Sequence, residues 1–281
     1  MSEEMHRFGH EAMATHFQLM FSHVEKLIAN GVAQTVFADI DRLEKELSRF
    51  VPYSDIAEIN RAEPGVAVPI QAACMDCLNF GKMVWESTNG AFDITIGPLF
   101  RLLREPDGSP RKVSKAERLK TMESIGFQHL EINVEEMTVT KHAPGMSLDL
   151  GAIGKGYALD QAVFNLKEYE IDNALLNAGD STVLGIGKLA GHDGWPVRAG
   201  QGAPVLLKNQ ALSGTGFMYQ GAHIIDPRLG KAVNVDRQIR WSIAPNATLA
   251  DALSTAFMVM TKKEIDSFCS SHPDIQVIFL R

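Results

Sequence analysis

Cysteine is scarce in this chain. Cys74, Cys77 and Cys269 make only 3 in 281 residues, an odd number at uneven spacing, which excludes a disulfide framework. Cys74 and Cys77 form C-x-x-C, but no second pair completes a zinc site. They lie among apolar residues at helical spacing and are read as core residues, small hydrophobes in effect. A basic surplus is also missing. Lys and Arg total 27 against 34 Asp and Glu, a net charge of -7, which argues against a general nucleic-acid binder. No apolar run approaches the roughly 20 residues of a membrane span. The start, MSEEMHRFGHEAMATHF, has no signal-peptide core, so the chain as it stands is expected in the cytoplasm; a trimmed export signal would place it in the periplasm or at a membrane. H-E-A-M-A-T-H at 10–16 is two residues too long for the zinc motif H-E-x-x-H.

What is present suffices for a full core: 45% of residues are hydrophobic, enough for one large domain or two small ones. Residues 15–24 read as a strand. Residues 32–50 read as an amphipathic helix with Val32, Val36, Ile40, Leu43 and Leu47 on one stripe. Residues 51–60 read as a turn and a short helix, and 74–90 as a helix closed by Asn89-Gly90. Ser114 and Glu117 form a capping box for a third helix. Residues 129–150 read as strands around a Pro144-Gly145 turn. Helices are predicted over 154–170 and 247–260, with further strands at 173–187, 195–214, 238–245 and 275–280. Helices interspersed with strand–turn–strand pairs predict an α+β fold with mixed, largely antiparallel sheets and packed helices.

Four stretches could carry chemistry. In S-L-D-L-G-A-I-G-K-G-Y-A-L-D (147–160), an extended chain sets Asp149 opposite Leu148 and Leu150. The glycines allow a tight turn, and a helix start with Lys155 favours an anion; the alternative is a plain strand-to-helix turn with a solvated lysine. In A-T-L-A-D-A-L-S-T-A-F-M-V-M (247–260), Asp251, Ser254 and Thr255 share a helix face and offer hard oxygen ligands for Mg²⁺ or Ca²⁺; the alternative makes Thr248 the cap and Asp251 a first-turn dipole partner. In A-H-I-I-D-P-R-L-G (222–230), His223 precedes a turn. In G-A-F-D-I-T-I-G-P-L (90–99), an aromatic and a carboxylate could grip a planar ligand or pack a loop.

The order of these blocks, with M-A-T at 13–15 and L-S-R-F then S-D-I-A-E-I-N at 47–60, resembles the ApbE family, FAD:protein FMN transferases. The resemblance runs from about Met13 to Met260. It implies an ApbE-like, T-fold-like architecture and one flavin transferase domain over 1–281, divisible into two subdomains with FAD in the cleft between them. It also implies Mg²⁺-dependent transfer of FMN from FAD onto a Thr or Ser hydroxyl of an acceptor flavoprotein, with AMP released. By residue, Asp251, Thr255 and the Ala152 carbonyl would hold the metal, assisted by Ser254. Gly151 and Gly154 would let that carbonyl turn. Asp149 and Lys155 would touch FAD; Ala91, Phe92 and Asp93 would line its site, as would Met13, Phe50 and Ile225. His223 would be the base that activates the acceptor hydroxyl.

Some positions depart from the family pattern. Met13-Ala14-Thr15 replaces Met-Gly-Thr, Ala178-Gly179-Asp180 replaces Gly-Gly-Asp, and Leu229 replaces a threonine. The segment before His223 is short and lacks an arginine. Two other activities fit the same blocks: a Mg²⁺-dependent FAD pyrophosphatase, in which water replaces the acceptor, and a non-catalytic FAD-binding protein.

Overall fold

The computed structural model describes residues 5–105, 107–179, 181–200, 202–215, 224–233 and 239–280. A hairpin of β1 (Met5–Ala12) and β2 (Thr15–Ser22) leads into α1 (Lys26–Leu47) and α2 (Asp55–Arg61). Then come β3 (Ala67–Pro69), α3 (Ala72–Ser87), α4 (Gly97–Leu103), α5 (Lys115–Met122), β4 (Leu130–Asn133), β5 (Thr138–Lys141) and α6 (Gly154–Glu168). The second half holds β6 (Ala174–Ala178), β7 (Thr182–Ile186), β8 (Trp195–Arg198), β9 (Pro204–Leu207), β10 (Gln210–Thr215), β11 (Ile225–Asp226), β12 (Lys231–Ala232) and β13 (Ile239–Ala244). It closes with α7 (Ala247–Val259), α8 (Lys262–Ser271) and β14 (Gln276–Leu280).

Seven strands form the main sheet in the order β1-β2-β6-β7-β10-β13-β14, and every neighbouring pair is antiparallel. The expected α+β class with largely antiparallel pairing is what the chain adopts. One sheet face carries the main core. The α1 stripe Val32, Val36, Ile40, Leu43 and Leu47 is buried there with Phe17, Leu19 and Phe21 of β2 and Leu253 and Phe257 of α7. The opposite face packs Leu212, Trp241 and Ile243 under Leu207 of the β8–β9 hairpin. Cys74 and Cys77 are fully buried on α3, and burial raises both thiols above their ordinary range, so they are core residues.

Three local expectations change. β1 went unpredicted because it is an edge strand of mostly polar residues, paired only with β2. The β4–β5 turn lies at 134–137 rather than at Pro144-Gly145. Among the described residues the stretch after Gly145 pairs only at the isolated Ile96–Ser147 bridge, outside any strand. The Asn60 side chain stands in for a neighbouring strand there: its Oδ1 accepts from the Leu148 amide (2.6 Å) and its Nδ2 donates to the Leu148 carbonyl (3.0 Å). α8, capped by a Thr261–Glu264 box, was also unpredicted. The Ser114–Glu117 box is present. Among the described residues no helix is long and apolar enough to cross a membrane.

Candidate active site at the α6–α7 junction

α7 is capped by Asn246, whose side chain accepts from the Leu249 amide at 2.8 Å. Thr248 is therefore not the cap, and Asp251 lies beyond the first turn as more than a dipole partner. The residue is 4% exposed, and its carboxylate is turned toward the start of α6. Oδ2 accepts from the Gly156 amide at 3.1 Å and lies 3.6 Å from Lys155 Nζ. Lys155 Nζ also donates to the Gly151 carbonyl at 3.2 Å. The Lys155 amide has no hydrogen-bond partner among the described residues. An ammonium and a free amide at a helix N-terminus together favour an anion.

Asp160, one turn along α6, ties the two helices together. Its carboxylate accepts from the Ala247 and Thr248 amides, both at 2.8 Å, and from the Thr248 hydroxyl. Burial raises its pKa, and the charge of Asp251 adds to this. The helices meet at Gly156, where a Cβ would stand 2.3 Å from the Ala247 carbonyl oxygen. Gly151 and Gly154, expected to free the Ala152 carbonyl, both lie outside the left-handed region. That carbonyl is freed by Gly156 instead: its amide, the usual helical partner of Ala152, donates to Asp251, and no described residue donates to Ala152 O.

Hydroxyls of the main sheet lie under Asp251. Ser213 of β10 is in register with Thr182 of β7 and Ser242 of β13. All three are fully buried. Thr182 and Ser213 donate to Asp251 Oδ1 at 3.3 and 3.4 Å, and Ser242 donates to the Ala250 carbonyl at 2.5 Å. Thr215, two residues along β10, lies 2.6 Å from Ser254 Oγ and 3.4 Å from Thr255 Oγ1.

Asp149 joins this group through one residue: Gly151 donates its amide to Asp149 Oδ1 at 2.8 Å while its carbonyl accepts from Lys155. Leu148 and Leu150 are buried and Asp149 is half-buried, opposite them as expected. Arg49 Nε pairs with Asp149 Oδ2 at 3.0 Å, and its guanidinium lies 4.2 Å from the Phe50 ring centre. Phe50 is 77% exposed, a large ring held over a cation at the rim.

The 91–93 turn abuts Asp149, whose amide donates to the Ile94 carbonyl at 2.7 Å. Ala91 and Phe92 pack into the main core. Asp93 Oδ1 accepts from the Thr95 amide and hydroxyl at 2.8 and 2.6 Å. Burial dominates and pushes its pKa up to about 6, against the opposing pull of those bonds and of Trp85. Met13 lies at the β1–β2 turn with φ +51 and packs against the main core. Ile225 packs with Ile96, Leu99 and Ile125 in a separate small cluster. No hydrogen bond or ion pair among the described residues joins Met13 or Ile225 to the Asp251 group. His223 lies outside the described residues.

Asp251, Ala152 and Thr255 fit a hard divalent cation. They offer one carboxylate, one carbonyl without a hydrogen bond and one hydroxyl, the oxygen set that Mg²⁺ takes when substrate phosphates complete its shell. Among the described residues no cluster of three His, Cys, Asp or Glu could hold a metal. Residue-level reasoning passed over Arg49 and Asp160, although both stand inside quoted motifs. Thr182, Ser213 and Thr215 carry no local signal.

The ApbE family model matches residues 13–279. The FAD:protein FMN transferase of Klebsiella pneumoniae is 25% identical over 272 residues, covering 89% of this chain and 77% of that protein. The Vibrio cholerae protein of the same name is 26% identical over 284 residues, covering 92% and 82%. The crystal structure of the ApbE protein from Thermotoga maritima superposes with a TM-score of 0.84 at 26% identity, covering 98% of this chain and 94% of that one. The flavin transferase ApbE from Vibrio cholerae gives 0.83 at 19% identity over 99% and 93%, a likeness of fold. With the family model spanning nearly the whole chain, this protein belongs to the ApbE family.

Proposed function

We propose that this chain is a Mg²⁺-dependent FAD:protein FMN transferase that moves FMN from FAD onto a Thr or Ser hydroxyl of an acceptor flavoprotein and releases AMP. The observation that carries the proposal is the buried Asp251 carboxylate 3.6 Å from Lys155 at the N-terminus of α6, in a family whose relatives bear that enzyme name.

Asp251, Thr255 and the Ala152 carbonyl would hold Mg²⁺, with Ser254 beside them. Bound there, the ion would neutralise charge on the pyrophosphate and on the departing AMP. Lys155 binds the pyrophosphate oxygens through its ammonium and its open amide. Phe50 offers a ring face at the rim, Arg49 fixes Asp149 against the substrate, and the 91–93 turn, Met13 and Ile225 complete the flavin's surroundings. The acceptor oxygen attacks the FMN phosphorus, and the bond from that phosphorus to the AMP phosphate oxygen breaks. His223 takes the hydroxyl proton, a step typically worth 10²–10⁴ in rate. The whole chain acts as one transferase domain, with FAD in a cleft between two subdomains.

Incubating the protein with FAD, Mg²⁺ and a candidate acceptor tests this. The acceptor should gain the mass of FMN less one water through a bond that survives denaturation. Free FMN and AMP formed equally well without acceptor would identify a pyrophosphatase instead, and intact FAD after long incubation would identify a binding protein.

A further inference from the structure

Ser254 carries one hydroxyl proton and two lone pairs. Its Oγ lies 2.8 Å from the Asp251 carbonyl, 2.6 Å from Thr215 Oγ1 and 3.4 Å from Ser213 Oγ. A carbonyl only accepts, so the Ser254 proton goes to Asp251 O. Thr215, the nearer of the two neighbouring hydroxyls, must then donate to Ser254, because the single Ser213 proton goes to Asp251 Oδ1. Ser254, completely buried, thus passes the direction set by the Asp251 carbonyl on to Thr215.

The directions propagate outward. Thr215 spends its only proton on Ser254, so toward Thr255 Oγ1, 3.4 Å away, it can only accept. The Thr255 proton points to Thr215, and both Thr255 lone pairs stay free. The common alternative for a helical threonine is a bond back to the carbonyl four residues earlier. For Thr255 that carbonyl belongs to Asp251, where Ser254 already donates.

We propose that Thr215 is a positioning residue for the divalent cation: through Ser254 it fixes the Thr255 hydroxyl proton and so presents the Thr255 lone pairs to the metal. This rests on the proposed function only in taking Asp251, Thr255 and Ala152 as the ligands. Thr215 stands to the metal as the hydrogen-bond partners of ligating side chains generally do.

The test uses the full chain as Thr215→Val, which keeps the shape, and Thr215→Ser, which keeps the hydroxyl. Mn²⁺ affinity is measured in the presence of FAD by titration with electron paramagnetic resonance detection. FAD affinity without metal and thermal stability are measured alongside. The Val variant should bind Mn²⁺ roughly 10–100-fold more weakly, with metal-free FAD affinity unchanged, and the Ser variant should regain the original metal affinity. Val binding Mn²⁺ as tightly as the unaltered chain overturns the assignment, as does a Ser variant as weak as Val. Failure of the unaltered chain to bind Mn²⁺ overturns the metal site itself, a separate result.

Discussion

The Gly156 amide donates to the Asp251 carboxylate at 3.1 Å, at the point where a Cβ on residue 156 would stand 2.3 Å from the Ala247 carbonyl oxygen. One glycine therefore sets both the approach of α6 to α7 and the position of the carboxylate. Gly156→Ala should cost about 1–3 kcal/mol by overpacking and should weaken metal binding. Gly154→Ala, with nothing within 4 Å of its Cβ, should do neither. Thermal unfolding and Mn²⁺ titration of the pair check this, and equal behaviour of the two variants would contradict it.

Asp160 satisfies two amides and a hydroxyl at the start of α7. Its replacement by Ala leaves these donors without an acceptor. Hydrogen bonds to a charged group contribute about 1.5–3 kcal/mol, and Asp160→Ala should lower stability in urea by that order. A change within experimental error would mean that the α7 N-terminus is held by other contacts.

Asp93 gives a pH signature. Its pKa is raised from 3.8 to about 6, so between these values the folded chain binds more protons at this site than the unfolded chain. Stability must then fall as pH rises through that window. The full effect is on the order of 3 kcal/mol, absent below the unfolded pKa and complete above about pH 6. Asp93→Asn should remove the slope, so its unfolding free energy relative to the parent should climb from pH 4 to pH 7. Parallel profiles would sink the assignment.

Ala14 occupies a strained position. Ala12 pairs with Thr15, leaving Met13 and Ala14 as a two-residue turn with φ +51 and +55, a geometry that favours Asn-Gly. Ala14→Gly should stabilise the protein by about 1 kcal/mol and raise the melting temperature. A lower melting temperature would show that the Ala14 methyl makes compensating contacts.

Features written in local spacing were legible: the α1 stripe, the Ser114–Glu117 box, and α6 and α7 with their charged residues. β1 was not, because a polar edge strand has no strong alternation. Pro144-Gly145 misled because a good turn pair needs two ladder-forming flanks, and Asn60 replaces one of them. α8 had its signal in Thr261 and Glu264 with Ile265 and Phe268. At the site, Asp251 and Lys155 could be named in advance. Thr182, Ser213 and Thr215 could not, because β7 and β10 are not consecutive and only their register brings the first two under one carboxylate and sets Thr215 beside Ser254.

The central claim is that this chain joins FMN to an acceptor hydroxyl at the Asp251 site. Its most direct measurement is AMP released against acceptor labelled, in parallel reactions of the parent and Asp251→Asn with FAD, Mg²⁺ and acceptor. One AMP per covalent FMN is expected for the parent and neither product for the variant. AMP without label, or label persisting at the parental rate in Asp251→Asn, would contradict it.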